Sequence, residues 1–85
     1  MFVVYILYSE KFDSSYVGYT SNLILRIKSH NIFGKDYTKK FRPWIVAHVE
    51  FFETKTDAMN REKYFKSGIG FYERKNIIEK YVESK

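Results

Sequence analysis

At 85 residues, with 15 Lys and Arg against 10 Asp and Glu and a net charge of +5, the chain has length for one small core and no room for a second domain. Its lack of cysteine excludes a disulfide framework and a thiolate metal site. No apolar run approaches ~18 residues and Met1 leads straight into a strand-like run without a basic leader, so we expect a cytoplasmic protein with neither membrane span nor signal peptide.

The surplus of positive charge and a pI near 9.4 suit an anionic partner, nucleic acid before membrane. An ordinary solubility charge stands beside that reading.

Phe2 to Tyr8 is an unbroken run of β-branched, aromatic and Leu residues, the habit of a strand buried on both faces. Glu10 to Ser15 is a turn signal, and Tyr16-Val17-Gly18 opens a second apolar run, which together predict a hairpin with a central first strand. Tyr5 and Tyr16 share a face only where directly opposed residues have numbers summing to an odd value, and that register is expected. It places Gly18 and Thr20 on the face of Tyr16, and Gly18 leaves bare backbone where another group can approach closely.

Thr20-Ser21-Asn22 offers capping side chains for a first helix from about Asn22 to His30. Leu23, Ile24 and Ile27 form its expected inner stripe. Asn22, Arg26 and His30 recur every fourth residue on a neighbouring polar face. From Asn31 to Pro43 periodicity disappears and cations accumulate at Lys35, Lys39, Lys40 and Arg42, predicting a basic loop. With Tyr37 among those cations and Trp44 after them, the loop suits a nucleic-acid platform that tracks phosphates and stacks bases; an ordinary solvated loop fits equally well.

Trp44 to Phe52 reads as a third strand, and Thr56 or Asp57 can cap a second helix through about Lys66. A third helix is expected from about Tyr72 to Val82, with Phe71, Ile77, Ile78 and Tyr81 as its apolar side and with Gly68 and Gly70 separating it from the second. The order ββαβαα describes an α+β domain in which a small three-stranded, mostly antiparallel sheet is covered by helices.

One residue breaks the pattern. Ala58, Met59 and Phe65 define the buried side of the second helix, and Glu62 points into that arc, about 40° from Ala58. A carboxylate there requires a cation, a metal or a water-filled cleft before it. An internal salt bridge and a side chain that snorkels to solvent are both open alternatives.

Taken together, Val-Tyr-Ile-Leu around Tyr5, Tyr-Val-Gly eleven residues on, a helix with Arg26 and His30, Tyr-Thr-Lys-Lys at Tyr37 to Lys40, Arg-Pro-Trp at Arg42 to Trp44 and a later helix carrying Glu62 resemble the GIY-YIG nuclease superfamily. The likeness runs from Phe2 to about Val82. More narrowly, the chain is similar to the small stand-alone members named after the N-terminal nuclease domain of the excision-repair endonuclease. Val3 departs from the pattern, standing where the first motif usually has glycine.

The resemblance implies hydrolysis of DNA phosphodiester bonds, on branched or damaged DNA, with one Mg²⁺ or Mn²⁺ bound at Glu62. It implies catalytic roles for Tyr5, Tyr16, Arg26, His30 and Glu62, a structural role for Gly18, and DNA with other repair proteins as partners. Arg26 would clamp phosphate, Tyr16 would orient or deprotonate water, Tyr5 would hydrogen-bond the water or scissile phosphate, and the tyrosine roles are exchangeable. His30 would shuttle a proton or contact phosphate. Two other readings fit the same residues: a nucleic-acid-binding module of the same fold with little catalysis, and an interaction domain of a repair assembly.

Overall fold

The structure is a computed structural model that describes residues 1–33 and 40–84, with the side chain of Phe33 outside the description. Three strands, β1 (Phe2–Ser9), β2 (Ser14–Thr20) and β3 (Ile45–Phe52), form one antiparallel sheet in the order β2-β1-β3. The apolar run of β1 is central as expected, and its residues from Val3 to Ser9 are all buried. Among the described residues, α1 (Leu23–Lys28), α2 (Lys55–Lys66) and α3 (Gly68–Glu83) accompany it. A π-helical turn, Ser29–Phe33, continues directly from α1. The ββαβαα order of an α+β fold therefore holds among the described residues.

Register follows the parity argument. Tyr5 stands opposite Gly18 and Leu7 opposite Tyr16, sums of odd value, so Tyr5 and Tyr16 occupy one face. Val4, Ile6 and Val17 point to the other face, where they pack with Ala58 and Phe65 of α2 and with Ile77 and Ile78 of α3. On that core face β3 contributes His48 opposite Ile6 and Glu50 opposite Val4. Between Ile6 and Leu7 the pairing slips by one residue, leaving Ala47 as a bulge that shifts the register of the rest of β3.

Helix ends differ from the sequence reading for identifiable reasons. Asn22 is a cap rather than a helical residue, its Oδ1 accepting from the Leu25 N–H at 3.1 Å, and α1 is shorter because the chain widens into the π turn after Lys28. Ile24 is 68 % exposed, so the inner stripe narrows to Leu23 and Ile27. Thr54 caps α2 ahead of the residues expected to do so, with its Oγ1 accepting from the Asp57 N–H at 3.1 Å.

Gly68 and Gly70 do not separate the last two helices, since both lie inside α3. Ser67 alone forms the joint: its N–H donates to the Tyr64 carbonyl at 3.0 Å, and its Oγ accepts from the Gly70 N–H at 3.1 Å. A Cβ on residue 70 would overlap the Tyr64 carbonyl oxygen and lie 2.9 Å from Phe65 Cα, so this sharp corner needs glycine for close approach. The prediction of a breaker failed because packing between two helix ends outweighs glycine's low helix propensity.

A charged network lies over the core face. Arg61 donates from Nε to Glu50 Oε1 at 2.7 Å and reaches Glu73 at 3.0 Å, while its guanidinium carbon is 4.2 Å from the Phe65 ring centroid. His48 Nε2 lies 2.8 Å from Glu50 Oε2. The Arg61 hydrogen bonds, outweighing burial, hold the Glu50 carboxyl below its ordinary pKa. Its contribution to stability is therefore present at neutral pH and lost as acidification passes through that lowered value.

Candidate active site

Three elements build a cluster on the face opposite the core. β1 supplies Tyr5, β2 supplies Tyr16, and α1 with its π turn supplies Arg26 and His30. The Tyr5 hydroxyl is 3.0 Å from His30 Nε2 and accepts from Arg26 Nε at 3.3 Å. The Tyr16 ring centroid is 4.8 Å from that of His30 and 6.4 Å from that of Tyr5. Fourfold spacing along the chain brings Arg26 and His30 to one phenol, as the polar stripe suggested, though His30 arrives by the π turn.

Depth separates the two tyrosines. Tyr5 is completely buried and His30 is 5 % exposed, whereas Tyr16 is half-buried and Arg26 exposed. Of the two phenols with exchangeable expected roles, Tyr5 has its hydroxyl bonded to Arg26 and in contact with His30, and Tyr16 is the one nearer solvent. Gly18 explains how Tyr5 fits. A Cβ at residue 18 would overlap the Tyr5 hydroxyl and come within 2.6 Å of Cζ, so the phenol lies across bare backbone of the neighbouring strand.

Charge states follow from these contacts. Burial raises the Tyr5 pKa, with Tyr16 and Glu62 adding to the rise and Arg26 opposing it, so Tyr5 remains a neutral phenol. Burial, then the Arg26 charge, lowers the His30 pKa below the ordinary 6.5. A neutral imidazole results at pH 7. The phenol and the neutral ring share one proton across their contact: the phenol donates to a ring protonated on Nδ1, or a ring protonated on Nε2 donates to the phenol oxygen, which has a second lone pair beside the one that Arg26 uses. Arg26 is held charged chiefly by its hydrogen bond to Tyr5, with Tyr16 contributing further.

Because the folded pKa of His30 lies below its unfolded value, the neutral ring favours folding above about pH 6.5, and this contribution falls as acid protonates His30. Arg26→Ala is expected to move the His30 titration upward, measured from its imidazole C–H resonances against pH. An unmoved titration would remove Arg26 from the field that the ring feels.

Glu62 joins the cluster at longer range. Its side chain is 18 % exposed, and Oε2 is 3.5 Å from Lys66 Nζ one helical turn on. Lys66 Nζ in turn stands 5.9 Å from the Tyr16 ring centroid, and the Glu62 charge is felt at Tyr5. α2 packs on the core face, and among the described residues β2 is the edge strand, past which side chains of α2 approach the tyrosines. No hydrogen bond joins Glu62 to Tyr5, Tyr16, Arg26 or His30 among the described residues. The expected shared pocket is therefore a contact cluster of four residues with the carboxylate on its flank. Lys66 was missed at the sequence level, although its i, i+4 spacing from the out-of-pattern acid was the available signal.

The basic platform fares differently. Lys35, Tyr37 and Lys39 lie outside the described residues. Lys40 is exposed, its Nζ 5.6 Å from the Phe41 ring centroid. Arg42 donates from Nη1 to the carbonyls of Asn31 at 3.3 Å and Ile32 at 3.2 Å, closing the end of the π turn. Trp44 is 3 % exposed, with its ring 6.3 Å from Tyr16, so it is not a surface for stacking bases. Its backbone is fixed by Asn31, whose Oδ1 accepts from the Trp44 N–H at 2.6 Å and whose Nδ2 donates to the Trp44 carbonyl at 3.0 Å. These bonds build the wall behind Tyr16 and His30.

No group of three or more His, Asp or Glu capable of holding a metal exists among the described residues. One accessible carboxylate fits a hard divalent cation that takes its remaining ligands from water and phosphate, and does not fit zinc. A cavity of about 510 Å³ between the hairpin turn and α3, reaching Tyr8, Asp13, Phe71 and Arg74, contains none of the cluster residues. Among the described residues, no helix is long and apolar enough to cross a membrane.

Comparison with known proteins connects this geometry to a family. The family model described as the GIY-YIG catalytic domain matches residues 1–76. A UPF0213 protein of Bacillus velezensis is 43% identical over 74 residues, covering 86% of this chain and 70% of the relative. Another, from Clostridium perfringens, is 47% identical over 64 residues, covering 74% and 68%. The UPF0213 protein YazA of Bacillus subtilis is 47% identical over 57 residues, covering 66% and 58%. No solved structure matches the chain.

Proposed function

The chain belongs to the GIY-YIG catalytic-domain family, and on that footing we propose that it is a divalent-metal-dependent endonuclease hydrolysing DNA phosphodiester bonds. The observation that carries this reading is the connected set Arg26, Tyr5 and His30 beneath a half-exposed Tyr16, with the Glu62 carboxylate on its flank. The proposal treats residues 1–85 as a single catalytic domain acting in the cytoplasm on branched or damaged DNA, alongside other repair proteins.

Phosphodiester hydrolysis joins a water oxygen to phosphorus, breaks a P–O bond to one sugar oxygen, and moves one proton from the water towards the departing alkoxide. Tyr16, as the accessible phenol, orients the attacking water or takes its proton. Arg26 presents a fixed positive fork to a nonbridging phosphate oxygen while its Nε holds Tyr5. Tyr5 and neutral His30 act behind that surface: the phenol fixes the guanidinium, and His30, hydrogen-bonded to the phenol, can relay protons. Glu62 would hold Mg²⁺ or Mn²⁺, which supplies Lewis acidity at phosphate and acidifies bound water. Lys40, with Lys35 and Lys39, would add sequence-independent attraction to the DNA backbone.

Labelled branched and single-stranded DNA incubated with the protein and Mg²⁺ or Mn²⁺ provides the test. Metal-dependent product is expected, with binding that weakens as salt rises. Salt-sensitive binding without product would replace the nuclease by a binding module, and loss of both would leave an interaction domain.

A further inference from the structure

Glu62 faces a cation already. Lys66 Nζ is 3.5 Å from its Oε2, the lysine side chain is 50 % exposed, and the glutamate is only 18 % exposed. The same ammonium is 5.9 Å from the Tyr16 ring centroid, so it neighbours both the carboxylate and the phenol assigned to water. No group of three metal-ligating side chains exists among the described residues, so a divalent ion at Glu62 leans heavily on this one carboxylate, and the ammonium contests it.

Resting on the proposed metal role of Glu62, we infer that Lys66 is the resident counter-ion of that carboxylate, a positioning residue that competes with the divalent cation. A doubly charged ion at Oε2 and an ammonium 3.5 Å away repel, so one must leave when the other arrives. Lys66 can leave without moving the backbone, because its half-exposed side chain is a flexible four-carbon arm at the last turn of α2. Until it does, it points Glu62 along the helix and neutralises a half-buried acid. The ammonium, 5.9 Å from the Tyr16 ring centroid while it is paired, is free on displacement to meet a phosphate brought up to that phenol. Metal binding to the free protein is consequently weak by construction, and DNA strengthens it by giving Lys66 another anion.

Mn²⁺ titration of the free protein, following the paramagnetic resonance signal of unbound Mn²⁺, tests this without a cleavage readout. Lys66→Met should tighten Mn²⁺ binding by about two- to fivefold, the size of competition expected from a half-exposed ion pair. Lys66→Arg should stay near wild type. Lys63→Met, which removes the same charge from an exposed neighbouring position on α2, should change affinity much less. Equal tightening in the Lys63 and Lys66 variants would overturn the inference in favour of general charge. Unchanged affinity in Lys66→Met, with binding lost in Glu62→Gln, would overturn this inference alone. If Glu62→Gln binds Mn²⁺ as wild type does, the metal role of Glu62 fails and the inference fails with it.

Discussion

Glu62→Gln is expected to lower metal-dependent DNA cleavage by about 10²–10³-fold, the usual loss when one preorganised group that stabilises transition-state charge is removed. The amide keeps the shape of the side chain but gives up the negative charge that attracts a hard cation. Its effect on folding should stay below about 1 kcal/mol, because the lost partner is a half-exposed lysine one turn away. Single-turnover cleavage and urea denaturation measured on the same preparation separate the two effects. Cleavage preserved in a folded Glu62→Gln protein would exclude this carboxylate from the chemistry.

Gly18→Val is expected to combine a stability loss of about 1–3 kcal/mol with a larger loss of activity than that destabilisation explains. The branching methyl groups are not needed for the damage, since a Cβ alone comes within 2.6 Å of Tyr5 Cζ. Tyr5 is completely buried in the central strand, so it has no empty space into which to retreat. Moving its hydroxyl breaks the bonds to His30 Nε2 and Arg26 Nε together. Urea midpoints report the packing cost, and the His30 resonances report loss of the phenol. A variant that retains both wild-type stability and an unshifted His30 would show that Gly18 is not the floor beneath Tyr5.

The sheet was the most legible part of the chain because its signal is local and redundant. An unbroken β-branched and aromatic run identifies β1 as central, and the expected odd-sum register, which the pairing of Tyr5 with Gly18 has, puts Tyr5, Tyr16 and Gly18 on one face. Glu62 was conspicuous for the complementary reason: helical periodicity exposes a carboxylate among apolar neighbours. What periodicity does not carry is a side chain's partner in three dimensions. Lys66 reads as an ordinary exposed lysine until the distance to Glu62 is known, and Trp44 reads as part of a basic surface until Asn31 is seen to pin it inward. Gly70 reads as a breaker, and its reason for being glycine is the carbonyl of Tyr64 on another helix. Tyr5 illustrates the same limit within the site, since the apolar run foretells its burial but not the hydrogen bonds that its hydroxyl makes with His30 and Arg26.

Burial orders the roles in the proposed reaction. A phenol sealed beneath the surface and kept neutral is suited to holding Arg26 and a neutral imidazole in register, whereas a half-exposed phenol is suited to meeting water. Replacing Tyr16 by Phe removes one oxygen at the solvent edge and leaves the Tyr5–His30 bond untouched. Chemistry and architecture are therefore separable by choice of tyrosine.

The most direct measurement compares single-turnover cleavage of one labelled branched duplex by wild type, Tyr16→Phe, Glu62→Gln and the double variant, all in the same metal. Groups serving one transition state lose their effect together, so the double variant should be scarcely slower than the more impaired single variant. Losses that multiply, or a double variant that cleaves at the wild-type rate, would contradict a common site for Tyr16 and Glu62.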